Sequence, residues 1–279
     1  MNIRQLICIV TASLSLAHST YAAEQKTERW VVYYTDKLPA SAFEQYDLIA
    51  FDSDSHPPIA DLKAKGKMLL GYISFGEAED YRSYYKDIKA KKLFFGTNKA
   101  WKDHHFIDVR KPEWTDMLIN QLIPPILAQG FDGIMIDTMD SVVQPELDDP
   151  VKYRGMKKAA VQLIKDIRTA YPDIKIMMNR GFEILPDVAS DINYVMAESI
   201  YTDVKDDKPY ILKAADNQYY LDTITQSQAI SPSLKVYSID YWGIKDSQGV
   251  KHIYDTQRAH GFVPYVSTVD LQKLYTEPK

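Results

Sequence analysis

The chain has 279 residues, a formal net charge of −5 and a single cysteine, Cys8. Slight acidity is the common condition of a soluble protein, and it argues against nucleic acid as a partner, since phosphate binding wants a basic surface. One cysteine allows no internal disulfide, so a hydrophobic core must hold the fold, and the length is ample for one.

Residues 1–22 read as a secretory signal. Arg4 precedes an apolar run from Leu6 to Val10, and small residues continue to Ala22, where cleavage is expected. The run is too short to span a membrane, and no later segment is long and apolar enough. Cys8 leaves with this segment. Export without disulfides fits a bacterial periplasm or exterior. Residues 23–279 then have the length of one α/β barrel, about 250 residues, so one domain and a monomer are expected. The 20 tyrosines suit sugar faces, although half-buried packing is their more frequent use.

Eight strand patterns follow in chain order: Trp30–Thr35, Leu48–Phe51, Met68–Phe75, Gly133–Asp137, Lys175–Asn179, Asn193–Ala197, Lys235–Ile239 and Val263–Ser267. Helix signals lie between them. Pro112 opens a helix that runs to Gln129 and stops at Gly130, with Pro124 and Pro125 kinking it. Tyr153–Ala170 is amphipathic, with Met156, Ala160, Leu163, Ile164 and Ile167 on one side. Pro209–Thr225 and Asp246–His260 are further helices, the second stopped by Gly261. Alternating strands and helices predict a parallel sheet, and eight units predict a (β/α)₈ TIM barrel. A doubly wound open sheet would carry a glycine-rich phosphate loop after its first strand. Asp36 to Pro39 stands there instead. A faint echo relates the two halves: Gln129-Gly130-Phe131 and His260-Gly261-Phe262 precede strands four and eight, and Asp47 to Asp52 repeats the spacing of Asp132 to Asp137.

In a barrel the chemistry sits at the C-terminal ends of the strands. Those exits carry Tyr34, Asp52, Asp54, Ser74, Glu77, Asp137, Asp140, Asn179, Arg180, Glu198, Asp240, Tyr241, Thr268 and Asp270. Acids dominate, and glycoside hydrolysis is the chemistry that most needs two of them. Asp137 ends a continuous apolar run, and Glu198, a poor capping residue, ends another, so these two are read as the catalytic pair. For Asp52, Asp54, Asp140 and Asp270, helix capping or turn-making is an equal reading. A metal site built from His104, His105 and Asp108 is disfavoured, because adjacent histidines diverge and no zinc-ligand spacing occurs. No G-x-S-x-G elbow points to a serine hydrolase. No metal or other cofactor is expected. A non-catalytic sugar-binding barrel of an envelope or exopolysaccharide system is the alternative from another class.

Three segments carry a family resemblance: Gly71–Arg82 (GYISFGEAEDYR), Asp108–Trp114 (DVRKPEW) and Gly130–Asp137 (GFDGIMID). They resemble glycoside hydrolase family 114, the endo-α-1,4-polygalactosaminidase family, and the resemblance runs from about Trp30 to Asp270. It implies a (β/α)₈ fold and cleavage of α-1,4-linked, partly deacetylated N-acetylgalactosamine polymers, which are cationic. It implies Asp137 as nucleophile and Glu198 as acid/base, and it places Tyr72, Glu77 and Arg82 along the cleft. With Tyr34, Asp52, Asp140, Asn179, Asp240 and Tyr241 from the strand exits, these form the expected substrate-contacting set. Asn98–Phe106, with Trp101, His104 and His105, departs from the family pattern, as does Asp52–Asp54. Both segments are read as shaping subsites.

Overall fold

The strand runs are apolar because both faces of each strand are covered. They form β1 (Trp30–Tyr33), β2 (Leu48–Asp52), β3 (Met68–Ser74), β4 (Gly133–Asp137), β5 (Lys175–Asn179), β6 (Tyr194–Glu198), β7 (Lys235–Tyr241) and β8 (Val263–Ser267). The structure, a computed structural model, describes residues 27–278. The expected signal segment, residues 1–22, lies outside them. Every neighbouring pair from β1 to β8 is parallel, in the order of the chain. Gly133 lets β4 approach β5, since a Cβ there would lie 1.8 Å from the Lys175 carbonyl oxygen.

β1 and β8 flank the seam of a nearly closed barrel. Above the strands the Tyr34 N–H donates to the Leu271 carbonyl at 3.0 Å. Below them Glu28 ion-pairs with Lys235 and accepts from the Tyr237 hydroxyl at 2.6 Å. Trp30 packs edge-on against Tyr237 and Tyr265 between these ties. The strand starts share a device. Asp47 accepts from the Arg29 N–H, Asp132 from the Leu69 N–H and Asn193 from the Ile176 N–H. Each residue precedes an even-numbered strand and takes an N–H at the start of the strand before it, so the Asp47 and Asp132 echo has a structural use.

The connections refine the sequence reading. Pro112–Ala128 continues as one rod only because Leu118–Leu122 widens into a π turn before Pro124 and Pro125. That widening accommodates rings that would otherwise meet the carbonyls one turn back. Met156–Ala170 starts after Gly155, whose φ is +89°, and buries the five residues expected to face the core. The helix expected from Pro209 begins later, at Ala214, and runs to Ile230. Before it, Thr202–Lys205 and Lys208–Ile211 form an antiparallel hairpin turned by Asp206 and Asp207, both at positive φ. Asp246 caps Ser247–Ala259 by accepting from the Gly249 N–H. Between β3 and β4 a small antiparallel sheet adds Glu77–Glu79, His104–Ile107 and Phe94–Thr97 in that spatial order. No helix among the described residues is long and apolar enough to cross a membrane.

Candidate active site

Asp52, Ser74, Asp137, Asn179, Glu198 and Tyr241 are the last residues of β2 to β7. All but Ser74 line a cleft of about 620 Å³ over the barrel mouth. Three of these strands end abruptly for the same reason. Thr138, Arg180 and Ser199, which follow Asp137, Asn179 and Glu198, have φ of +66°, +51° and +51°. A left-handed backbone without glycine is strained, and such strain collects at functional sites.

One amide links the two acids. Asn179 Nδ2 donates to Asp137 Oδ1 at 2.8 Å and to Glu198 Oε2 at 2.5 Å. Its Oδ1 is buried and has no hydrogen-bond partner among the described residues. Asp137 Oδ1 also accepts from the Thr138 N–H at 2.8 Å, and Glu198 Oε1 from the Tyr241 hydroxyl at 2.6 Å. Burial first, and Glu198 next, push the Asp137 carboxyl up to about 6, against bonds from Asn179, Thr138 and Tyr72 that favour its charged form. Burial and the nearby acids also hold the hydroxyls of Tyr34, Tyr72 and Tyr241 well above their ordinary value. These hydroxyls therefore stay protonated and able to donate.

The segment Ser74–Glu77 sits tightly against Thr138. Ser74 Oγ and the Gly76 N–H both reach Thr138 Oγ1, at 2.7 and 2.8 Å. Gly76 has no room for a side chain, because a Cβ would lie 2.2 Å from the Thr138 carbonyl oxygen. Trp114 Nε1 donates to the Phe75 carbonyl at 2.9 Å, tying the Asp108–Trp114 segment to the same place.

Two charged clusters build the wall on the β2–β3 side. Arg82 is buried and binds Asp52 at 3.0 Å, Asp54 at 2.7 Å and Glu79 at 3.1 Å. Asp52 also accepts the N–H groups of Asp54 and Ser55, so it both makes its turn and faces the cleft. Glu77, likewise buried, accepts from His104 Nδ1 at 2.9 Å, from Asn98 and from Ser141. Burial raises the Glu77 carboxyl, but the bonds from His104, Ser141 and Asn98 outweigh it and leave it below its ordinary value. The same bond raises His104, favouring its cationic form. Six acids line the cleft (Asp52, Glu77, Glu79, Asp137, Glu198 and Asp270) against two basic residues, Arg82 and His104. The cleft is therefore strongly negative and favours a cationic ligand.

Of the eleven residues expected at the site, nine line this cleft and two do not. Asp240 is fully buried on the other side of β7, because strand residues alternate faces and its neighbour Tyr241 takes the inward one. It accepts from the N–H groups of Tyr201 and Thr202 and from Gln257, and burial pushes it up to about 6. Asp140 lies in the first turn of helix Met139–Asp148, where it pairs with Arg180 and accepts the Gly181 N–H. His104, His105 and Asp108 go to separate partners, namely Glu77, Tyr85 and Arg110. Thr138 and Ser141 are structural discoveries at the site. The signal available for Ser141 is its place in the first turn of the helix that follows the Asp137 strand exit.

The model of glycoside-hydrolase family GH114 matches residues 11–279, nearly the whole chain. The chain belongs to glycoside-hydrolase family GH114. It is thus a glycoside hydrolase built on a barrel. An uncharacterised protein of Deinococcus radiodurans is 27% identical over 84% of this chain and 76% of its own length. Among solved structures, the glycoside hydrolase domain of PelA from Pseudomonas aeruginosa is similar, with a TM-score of 0.78 and 21% identity over 89% of this chain and 98% of that one. Aspergillus fumigatus Ega3, solved with galactosamine, has a TM-score of 0.67 and 15% identity over 88% of this chain and 92% of that one.

Proposed function

We propose that this GH114 hydrolase is an exported, endo-acting enzyme that cleaves α-1,4-linked galactosamine- or N-acetylgalactosamine-containing polysaccharide, with Asp137 as nucleophile and Glu198 as acid/base. The observation that carries the proposal is the Asn179 amide bonded to both acids at the barrel mouth. Its two bonds hold the facing oxygens within the sum of their lengths of each other, which suits the roughly 5–5.5 Å carboxyl separation of a retaining enzyme better than the roughly 6.5–9.5 Å of an inverting one.

Asp137, fixed by Asn179, the Thr138 N–H and Tyr72, attacks the anomeric carbon. Glu198 gives its proton to the departing glycosidic oxygen, so one chain leaves as an alcohol and the other remains as an ester on Asp137. Glu198 then takes a proton from water as the water oxygen attacks the anomeric carbon, which breaks the bond to Asp137, releases it as a carboxylate and restores the acid. Burial and the nearby Glu198 hold the proton on Asp137 up to about 6, and above that Asp137 is the carboxylate that attacks. The free Asn179 Oδ1 can accept from a hydroxyl or ammonium of the bound sugar.

The negative cleft supports an amino sugar, as does the galactosamine bound by the similar Ega3. Internal cleavage is supported by the open rim, where Trp101 and Tyr81 are more than half exposed. Export rests on the signal pattern of residues 1–22, and residues 23–279 would be the mature domain. Digesting a panel of hexosamine polymers and weighing the products tests the reading. Oligomers of galactosamine are expected from wild type and none from Asp137→Asn or Glu198→Gln. Activity of either variant at the wild-type level would refute the assignment.

A further inference from the structure

Trp101 is 59% exposed and Tyr81 is 68% exposed, although both line the cleft. Neither ring is needed by the core. Each stands on a rigid support. Asn98 Oδ1 accepts the N–H groups of Ala100 and Trp101 at 2.9 and 3.3 Å, while its Nδ2 donates to buried Glu77 at 3.1 Å. The Asn98 N–H bonds the His104 carbonyl, and the His104 N–H bonds the Trp101 carbonyl. The turn that carries Trp101 is therefore closed at its base and anchored to the wall of the cleft. The indole's ring contact is with His104, 6.0 Å away.

Tyr81 rises from the adjoining strand. Glu79 pairs with His104, and the Asp80 N–H then donates to the Asp103 carbonyl at 2.9 Å, so both aromatics emerge at one end of the same strand pair. Arg82, buried and bound to three carboxylates, lies 5.4 Å from the Tyr81 ring and supports it.

We propose that Trp101 and Tyr81 form a glycan platform at the cleft rim that binds a pyranose ring of the polymer away from the scissile bond. An exposed rigid ring presents a flat apolar face at little entropic cost on binding. A galactosamine ring matches it, with C–H groups on one face and an ammonium that the indole attracts. The platform would set the enzyme's preference for long chains. This inference rests on the amino-sugar substrate proposed above.

The test uses the full protein carrying Glu198→Gln, so that ligand is bound and left intact. Tryptophan fluorescence and calorimetry follow titration with an α-1,4-galactosamine hexamer and with galactosamine itself. Adding Trp101→Ala is expected to weaken hexamer binding about tenfold and leave galactosamine binding unchanged, whereas Trp101→Phe keeps most of the affinity. Tyr81→Ala should give a smaller loss of the same kind. Equal affinity for the hexamer with and without Trp101, or equal losses for hexamer and monosaccharide, overturns the platform while the substrate assignment stands. Absence of any hexamer binding by the Glu198→Gln parent overturns the substrate assignment, and the platform with it.

Discussion

Asn179 and Asp137 end adjacent strands, and the Asn179 amide nitrogen donates to Asp137 Oδ1 at 2.8 Å while the same nitrogen reaches Glu198. That bond pulls the Asp137 carboxyl down, against the larger upward push of burial. Asp137 attacks as the carboxylate, so kcat/KM is expected to rise as pH passes through about 6, where its proton is lost. Asn179→Ala removes the downward pull, so this acid limb should move to higher pH, while kcat drops about 10–100-fold through loss of alignment. A pH–rate profile measures both effects. An unmoved limb with near-normal kcat would show that the amide does not couple the acids.

The raised Asp137 carboxyl also bears on stability. In the unfolded chain the group ionises near 3.8, in the folded protein at about 6. The favourable contribution of the neutral acid is complete below 3.8 and is lost as pH rises through about 6. Above that, wild type holds a charge in a place that disfavours it. Asp137→Asn should therefore melt higher than wild type at pH 7.5, by up to about 3 kcal/mol of unfolding free energy, with the gain vanishing near pH 3.5. Calorimetric melting across that range checks the pattern. A variant less stable at pH 7.5 would show that the Asn179 and Thr138 bonds outweigh burial.

The eight strands were legible because each is an apolar run with both faces covered, and Asp137 and Glu198 stood out as the first polar residues after such runs. The small sheet beside the cleft was not. Phe94–Thr97 and His104–Ile107 are short and only partly buried, so they lack both the continuous run and strict alternation. The hairpin at 202–211 hid for a similar reason, since its strands are polar and partly exposed and its turn is Asp206-Asp207 rather than a glycine pair. Asp240 was misplaced because β7 runs two residues past its last aliphatic, and the alternation along those two residues decides which side chain faces inward.

Asp240 therefore belongs to stability. It joins the hairpin to helix Ser247–Ala259 through the Tyr201 and Thr202 N–H groups and Gln257. Asp240→Ala leaves those donors buried without an acceptor, which costs about 3 kcal/mol or more. Chemical denaturation should show that loss, while kcat per folded molecule stays close to wild type. A stable protein that has lost activity would return Asp240 to the substrate-contacting set.

The stereochemical outcome tests the spacing of the acids. Nδ2 of Asn179 lies 2.8 Å from one carboxylate oxygen and 2.5 Å from the other. Facing oxygens this close leave too little room between them for an attacking water on one side of the sugar and an acid on the other, whereas they suit direct attack by Asp137. An α-linked polymer should then release α-anomeric reducing ends first, which drift to the equilibrium mixture by mutarotation. Proton NMR of the anomeric region during the first minutes of digestion distinguishes the two courses. β-Anomers appearing first would mean that water attacks directly, and Asp137 would then be the base that activates it.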